Sequence, residues 1–238
     1  MNISRMKVFI GHDPREQEAY DVCEFSIKTR SSLSVEPLVS SKIPEYLRHR
    51  EPTQSTDFTY TRFFVPHLMK YEGWALFCDC DFLFLKSPAE ILLDNPHLKD
   101  YPVSVVKHPQ YIPRSEMKMD DIPQHSMWRK NWASLILFNC NHPSNKVLTP
   151  EYVNTTFGRN LHQFSWLEDD EIGSIPMNWN VLDDYYLIDD PAAIHYTDGG
   201  PWFEKYQNTT YSNLWKIEKL NYDRSKASIN TTVVDYNT

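Results

Sequence analysis

Glycine is scarce in this sequence, since its 238 residues include only 6. Neither G-x-G-x-x-G nor G-x-x-x-x-G-K-[ST] occurs, which disfavours the glycine-rich phosphate sites of dinucleotide-binding and P-loop proteins. Long apolar runs are also lacking: none approaches the roughly 18 residues of a membrane-spanning helix, and residues 1–6 lack the apolar core of a signal peptide. We therefore expect a cytoplasmic protein without a transmembrane segment.

Acidic residues outnumber basic ones, 32 to 24, and cysteines are few. The formal net charge is −8, and without a clustered basic surface we expect no nucleic-acid partner. The chain has 4 cysteines, and all of them lie in apolar segments. A disulfide framework would be unusual in a chain of this size without a secretory signal, so we expect buried free thiols, with metal ligation as the alternative.

The order of apolar segments predicts an α/β fold. A short apolar run at Met6 to Ile10 indicates a buried strand, and Asp13-Pro-Arg-Glu16 has the form of a capping box for a helix that ends near Arg30. A second strand follows, so the first 40 residues read strand, helix, strand, which favours a parallel sheet. Later segments predict a helix at Phe58 to Tyr71 that is interrupted at Pro66, strands at 74–85, 103–107, 133–138 and 193–196, and a closing helix at 212–220.

Two segments are predicted to lack regular structure. Residues 108–130 are polar and proline-containing, and we expect them to form a long loop over a site. The polar segment 225–238 is expected to be a flexible tail, which leaves residues 1–224 as a single domain.

The stretch WALFCDCDFLFL, residues 74–85, carries two aspartates inside an apolar run. Side chains alternate along a strand, so Asp79 and Asp81 are expected on one side, about 6.6 to 7 Å apart along the backbone. Two buried carboxylates repel each other unless a proton or cation lies between them, and oxygen ligands suit Mn²⁺ or Mg²⁺ together with substrate phosphates. The alternative is a strand that simply emerges into solvent at Asp79.

Three stretches together carry a family resemblance. They are MKVFIGHD at residues 6–13, YTRFFVPHLMKYEGWALFCDCD at 60–81, and AIHYTDGGPW at 193–202. In combination they resemble the GT-A fold glycosyltransferases of the retaining family that includes glycogenin and the bacterial lipopolysaccharide galactosyltransferases. The resemblance implies a single GT-A, Rossmann-like domain with a mostly parallel central sheet flanked by helices.

The resemblance also implies a metal and donor site. Asp79, Asp81 and His195 would hold Mn²⁺, or Mg²⁺, on the diphosphate of a nucleotide sugar. The donor would further contact a set of residues from the three stretches: His12, Asp13, Tyr60, Arg62, Gly200 and Trp202. For three of these positions a purely structural role is the alternative: a satisfied buried histidine at 195, a surface helix arginine at 62 and a helix N-cap at 13.

Acidic residues 168–171 resemble the family's Asp-Gln-Asp-Ile stretch beside the donor sugar. Asp169 falls on its first aspartate and Asp170 on its glutamine, so a carboxylate replaces an amide there. Asp170 is a candidate nucleophile, general base or stabiliser of positive charge at the sugar. An acidic loop on a solvated surface is the alternative.

Two further departures concern the donor. The family usually has a lysine just before Pro-Trp, where this chain has Gly200, so Arg62, Lys205 or the metal alone must meet the phosphate charge. The family's Asn-Ser-Gly-Val strand appears here as residues 132–135, with Asn131 one residue out of register, so this stretch leaves open a donor sugar other than glucose or galactose.

Together these features predict a metal-dependent glycosyltransferase. It would move a hexose-type sugar from a nucleoside diphosphate, for which we expect UDP, to a saccharide or other acceptor hydroxyl, with retention implied by the resemblance. One alternative is a phosphohydrolase of the haloacid-dehalogenase type, which also uses D-x-D, although usually on its first strand. Another is a catalytically inactive GT-A protein that binds nucleotide sugars.

Overall fold

A computed structural model describes residues 6–51, 54–109, 129 and 131–234, with backbone only for 229–234. The strands are β1 (Lys7–Gly11), β2 (Ser34–Leu38), β3 (Trp74–Cys78), β4 (Phe82–Phe84), β5 (Val103–Val105), β6 (Leu135–Asn139), β7 (Ile172–Ser174), β8 (Val181–Leu182) and β9 (Ala193–His195). The α-helices are α1 (Gln17–Arg30), α2 (Val65–Leu68), α3 (Glu90–Leu93), α4 (Pro150–Thr155), α5 (Gly158–His162) and α6 (Ser212–Val234). The predicted loop 108–130 lies outside the described residues except at 108, 109 and 129.

The central sheet confirms the predicted α/β class. Within the described residues its strand order is β2-β1-β3-β6-β5-β7. β1 is parallel to β2 and β3, and β5 is parallel to β7, whereas β6 runs antiparallel to both of its neighbours. The sheet is therefore mostly parallel, and the strand that follows the undescribed segment is the one that reverses direction.

A second, smaller sheet of order β4-β9-β8 lies next to the first. The side chains of β4 point alternately to its two faces, and each face is buried in a different apolar core. Phe82 and Phe84 pack into the main core, while Leu83 packs into a second core with Ile194 and Trp215. The expected single strand over 74–85 is therefore wrong. The apolar run is two strands in two sheets, joined by a turn at residues 79–81.

The first helix forms as predicted. Asp13 caps a short 3₁₀ turn at Pro14–Glu16 by accepting a hydrogen bond from the Arg15 backbone NH at 3.0 Å, and α1 follows directly. The expected capping box is only half formed, because the Glu16 side chain is buried and does not serve as its second member.

The predicted helix at Phe58 to Tyr71 is much shorter in the structure. It consists of a 3₁₀ turn at Thr61–Phe64 followed by α2, with Pro66 in the first turn of α2, where its missing NH costs nothing. Lys70 and Tyr71 take left-handed backbone angles, with φ of 55° and 56°, and this ends the helix and turns the chain into β3.

The closing helix is longer than predicted. α6 extends to Val234, so residues 225–234, expected to belong to a flexible tail, are helical. The part of α6 that leads into this segment packs on α1: Glu218 accepts two hydrogen bonds from Arg30 at 2.5 and 2.9 Å, and Tyr222 donates to Asp21 at 2.7 Å while its ring contacts Phe25. Among the described residues, no helix has the length and apolar character needed to cross a membrane.

Gly11 ends β1 against the aromatic ring of Phe58, and a Cβ added there would lie 2.5 Å from Cγ of that ring. We predict that Gly11→Ala lowers the free energy of unfolding by about 1–3 kcal/mol, the usual cost of overpacking a core. Urea denaturation checks this. The double variant Gly11→Ala/Phe58→Leu should recover part of the loss, and an unchanged unfolding midpoint in Gly11→Ala would contradict the close contact.

Candidate metal and donor site

The two aspartates lie at the junction of the two sheets. β3 pairs with β1 and β6 in the large sheet, whereas β4 pairs with β9 in the small one, so the chain changes sheets across residues 79–81. Backbone hydrogen bonds fix both ends of this turn. The Asp79 NH donates to the Ser134 carbonyl at 3.0 Å, and the Tyr196 NH donates to the Asp81 carbonyl at 3.0 Å.

His195 joins the two aspartates as expected. In the antiparallel register of β4 and β9 it lies opposite Phe82, and its ring stacks on that phenyl ring with centroids 4.5 Å apart. Its Nε2 lies 3.4 Å from Asp81 Oδ2, and one ligand atom from each of Asp79, Asp81 and His195 lies within 4.8 Å of the others. We call these three residues the metal triad.

A chain of hydrogen bonds sets the tautomer of His195. The Ser134 hydroxyl donates to the Asn131 carbonyl at 2.7 Å, so its oxygen must accept from the Asn180 amide NH₂ at 3.0 Å. The amide oxygen of Asn180 then accepts from Nδ1 of His195 at 3.0 Å. Nδ1 therefore carries a proton, and Nε2 is the ring nitrogen that faces the aspartates, the arrangement found in metal-ligating histidines.

Sequence reasoning missed Asn180 and Ser134. Both are buried polar side chains, and they lie outside the D-x-D and His-x-x-x-Gly-x-Pro-Trp patterns. Only the register of β8 beside β9 brings Asn180 next to the histidine, and sequence spacing carries no signal for that.

Arg62 is buried beside the triad, which excludes the alternative of a surface arginine. Its Nη1 lies 2.9 Å from Asp79 Oδ1 and donates to the Ala133 carbonyl at 2.5 Å, while Nε donates to the Thr59 carbonyl at 3.0 Å. The guanidinium also lies over the ring of Phe77, 4.8 Å from its centroid. Arg62 thus compensates the charge of Asp79 and fixes its position.

Glu16 is a third acid, next to the two aspartates of the triad, and sequence reasoning assigned it only a capping role. Its side chain is buried, and the Cys80 thiol between the two aspartates donates to it at 3.6 Å. Burial, followed by the negative charges of Asp81, Asp13 and Asp79, raises the pKa of Glu16 to about 8. The four cysteines are buried and free, as predicted.

The residues of the triad fit a divalent cation. Asp81 Oδ1 is buried and has no hydrogen-bond partner among the described residues, which is costly for a carboxylate that nothing else coordinates. Two carboxylates and a neutral imidazole form a ligand set that suits Mn²⁺ and, with more oxygen ligands, Mg²⁺.

The predicted nucleotide loop is rigid. Asp13 is fully buried and, besides capping Arg15, pairs with its guanidinium at 2.6 Å and accepts from the Asp57 NH at 3.1 Å. Burial opposes ionisation, but the hydrogen bonds from Arg15 and Asp57 outweigh it and lower the pKa of Asp13. Of its two expected roles, the structure shows the N-cap. Next to it, His12 contacts Gln17 through Nε2 at 3.0 Å.

Gly200 has a packing reason to lack a side chain. The indole of Trp202 lies directly against it, and a Cβ at this position would overlap the ring. A lysine in the family's position would therefore displace Trp202, which itself packs against Trp215 and Tyr196.

Tyr60, another predicted donor contact, donates a hydrogen bond from its hydroxyl to Glu51 at 2.8 Å.

The predicted catalytic acids lie in an exposed turn. Asp169 and Asp170 begin a 3₁₀ turn at Asp169–Glu171 that is closed by a capping box between Glu168 and Glu171. The Asp169 carboxylate pairs with Arg129, and its carbonyl accepts from Lys107 Nζ at 3.3 Å. The structure thus brings Arg62 together with the triad, while the catalytic role of Asp169 and Asp170 stays a prediction.

A second histidine lies beside the triad and was not predicted as a site residue. His108 follows β5, is only 5% exposed, and feels the charge of His195 and the side chain of Asn180. Burial, and then His195, lower the pKa of its imidazole to about 3. Its position at the start of the expected loop gave no signal that it would be buried.

No model of a known protein family matches this sequence. A curated relative, Protein CDI of Arabidopsis thaliana, is 44% identical over 239 residues, which covers 94% of this chain and 90% of the relative. The chain belongs to the Protein CDI family. Identity at this level over nearly the full length of both proteins means that the CDI family shares the fold described above.

Solved structures identify the fold of the CDI family as GT-A. The bifunctional glycosyltransferase WbbM gives a TM-score of 0.60 at 16% identity, covering 91% of this chain and 50% of WbbM. GlyE of Streptococcus pneumoniae TIGR4 gives 0.57 at 16% identity, covering 94% of this chain and 63% of GlyE. The galactosyltransferase LgtC, solved with donor and acceptor sugar analogues, gives 0.59 at 13% identity, covering 91% and 96%. This chain thus spans about half of WbbM and under two thirds of GlyE.

The triad predicts a metal-dependent change in thermal stability. A ligand that binds only the folded state stabilises it, so MnCl₂ at a hundredfold excess over its Kd should add about 2.7 kcal/mol to the free energy of unfolding. The unfolding temperature of the wild type should rise accordingly. Asp81→Asn should abolish this increase and, without metal, should unfold no earlier than the wild type, because it removes one of several repelling carboxylates. The exposed Asp100→Asn is the control. An equal Mn²⁺ response in Asp81→Asn would contradict the assignment.

Glu16 predicts a pH dependence of the metal-free protein. Its folded pKa of about 8 lies above the ordinary value of 4.5, so between these values the folded state holds a proton that the unfolded state has lost. Stability from this group is present at low pH and declines as pH rises towards 8, by at most about 1.4 kcal/mol per pH unit. Urea denaturation in EDTA from pH 5 to 8 should show Glu16→Gln gaining stability relative to the wild type, and parallel profiles would contradict it.

Proposed function

We propose that the protein is a metal-dependent glycosyltransferase that moves a hexose-type sugar from a UDP donor to a hydroxyl of a saccharide or other acceptor, with retention of configuration. One observation carries the proposal: in a GT-A fold, two aspartates and a correctly protonated histidine converge where the two sheets meet. Ligands of open α/β sheets commonly bind beyond the carboxyl ends of the strands, and Asp79 directly follows the end of β3.

In this proposal Asp79, Asp81 and His195 hold Mn²⁺ or Mg²⁺. When bound, the cation would neutralise the donor diphosphate and supply Lewis-acid chemistry to the departing nucleotide. Arg62 keeps Asp79 in place by an ion pair, and Asn180 keeps the proton of His195 on Nδ1. Both supports exist before any ligand arrives, so binding needs little rearrangement.

The nucleotide is assigned to the loop after β1 and to the loop after β9. His12 would contact the base or ribose, with Asp13 holding that loop rigid, while Gly200 and Trp202 would border the diphosphate. The indole NH of Trp202 is buried without a hydrogen-bond partner among the described residues, which leaves it free to donate. For Tyr60 we propose support of the site through Glu51.

Asp169 and Asp170 are assigned to the reacting sugar. A carboxylate near the anomeric carbon would stabilise the positive charge that develops there, and Asp170 would act as nucleophile or as general base to the acceptor hydroxyl. The ion pair with Arg129 holds Asp169 in its turn and leaves Asp170 as the more available group.

A nucleotide-sugar-binding protein without turnover is the second candidate. It is favoured by Gly200, whose contact with Trp202 excludes a lysine at that position, and by Arg62, which is engaged with Asp79 and Ala133. The phosphohydrolase alternative is set aside, because the D-x-D motif follows the third strand of a GT-A fold rather than the first strand.

Calorimetry of UDP binding, with and without Mn²⁺, tests the proposal. We predict that the wild type and Asp100→Asn bind UDP only with the metal, and that Asp81→Asn loses this binding while remaining folded, because the diphosphate needs the cation as counter-charge. Hydrolysis of UDP-glucose or UDP-galactose then separates an enzyme from a binding protein. A wild type that binds no UDP, or an Asp81→Asn variant that binds it normally, would refute the proposal.

A further inference from the structure

Two aromatic side chains beside the metal triad lie face to face. The ring planes of His108 and Tyr186 are inclined by only 8°, with centroids 5.9 Å apart. His108 follows β5 in the large sheet, and Tyr186 follows β8 in the small one. The pair therefore spans the same junction of sheets that carries Asp79 and Asp81.

The polar atoms of this pair are buried, and few described groups can satisfy them. The hydroxyl of Tyr186 has no hydrogen-bond partner among the described residues, and neither ring nitrogen of His108 makes a hydrogen bond of normal geometry there, although the Asn180 side chain lies close enough to interact with the imidazole. Each buried polar group left unpaired costs roughly 1–3 kcal/mol, and such groups are rare unless they serve a ligand or bound water. Packing alone does not explain them, because phenylalanine at either position would fill the same space without this cost.

His195, a proposed metal ligand, is a neighbour of this pair. His108 is close to Asn180 and His195, which are hydrogen-bonded to each other at 3.0 Å. The Trp132 indole donates to the His108 carbonyl at 3.2 Å and fixes the backbone of this residue, while Tyr186 packs against the second core. Both side chains are thus anchored, and their polar atoms are preorganised.

We propose that His108 and Tyr186 bind hydroxyl groups of the donor sugar. A neutral imidazole offers one donor and one acceptor, and a phenol offers both, which matches alcohol hydroxyls that also donate and accept. Neither group carries the positive charge that phosphate binding favours. The inference rests on the proposed function: with the diphosphate on the triad, the group next to His195 is the sugar joined to it.

Phenylalanine substitutions test the pair with little change in shape. Tyr186→Phe removes only the hydroxyl, and His108→Phe keeps a ring stacked on Tyr186 without its nitrogens. Tyr185→Phe is the matched control, because the hydroxyl of Tyr185 donates to Asp198 at 2.7 Å and serves the fold. All three are compared with the wild type.

Calorimetry with Mn²⁺ measures Kd for UDP, UDP-glucose, UDP-galactose and UDP-N-acetylglucosamine. We expect the ratio of Kd for the preferred UDP-sugar to Kd for UDP to rise about threefold to tenfold in Tyr186→Phe, the effect of one neutral hydrogen bond, and at least as much in His108→Phe. Kd for UDP itself should stay within about twofold, since the nucleotide and diphosphate bind elsewhere. Ratios unchanged for all three sugars would overturn the inference.

Urea denaturation without ligand provides an independent test. We expect Tyr186→Phe and His108→Phe to unfold at the wild-type midpoint or later, and Tyr185→Phe to unfold earlier. A loss of stability, or a failure to fold, in either of the first two variants would show that these polar groups serve the fold and would overturn the inference. A wild type that binds no UDP would instead refute the proposed function, so the two failures are distinguishable.

Discussion

The close approach of two half-buried carboxylates in the turn between β3 and β4 is the constraint that shapes the rest of the site. The chain leaves the large sheet after Cys78 and enters the small sheet at Phe82, so Asp79 and Asp81 are held where the two sheets meet. Neighbouring polar side chains either balance the charge of these carboxylates or hold in place the groups that do so.

Each carboxylate has a different form of compensation. Asp79 has the guanidinium of Arg62, which is itself held by the carbonyls of Ala133 and Thr59. Asp81 faces Nε2 of His195 at 3.4 Å, and one of its oxygens lacks a partner among the described residues. Raising the pKa of Glu16 removes a further negative charge from the surroundings. The remaining imbalance at Asp81 is what a divalent cation would correct.

The sequence predicted the parts of this site that depend on short patterns. The D-x-D motif, the histidine in AIHYTDGGPW and the helix after β1 all have local signatures, and they identified Asp79, Asp81, His195 and α1. Local pattern also misled, because the apolar run 74–85 reads as one strand when both halves are buried. The change of sheet depends on pairing with β9, more than a hundred residues away in the chain.

The residues that support the site could not be predicted because they act through contacts distant in sequence. Asn180 reaches His195 only through the register of β8 and β9, and Glu16 meets Cys80 only when α1 packs on the small sheet. α6 was predicted too short because its polar sequence looks unstructured until its contacts with α1 are known.

The central claim is that the triad holds a cation at this junction, and anomalous diffraction from crystals grown with MnCl₂ and UDP tests it most directly. We predict a single strong manganese peak within about 2.0–2.4 Å of oxygens of Asp79 and Asp81 and of Nε2 of His195, with the UDP diphosphate on its open side. A bound UDP without manganese at the triad, or a peak that does not touch both aspartates, would contradict the claim.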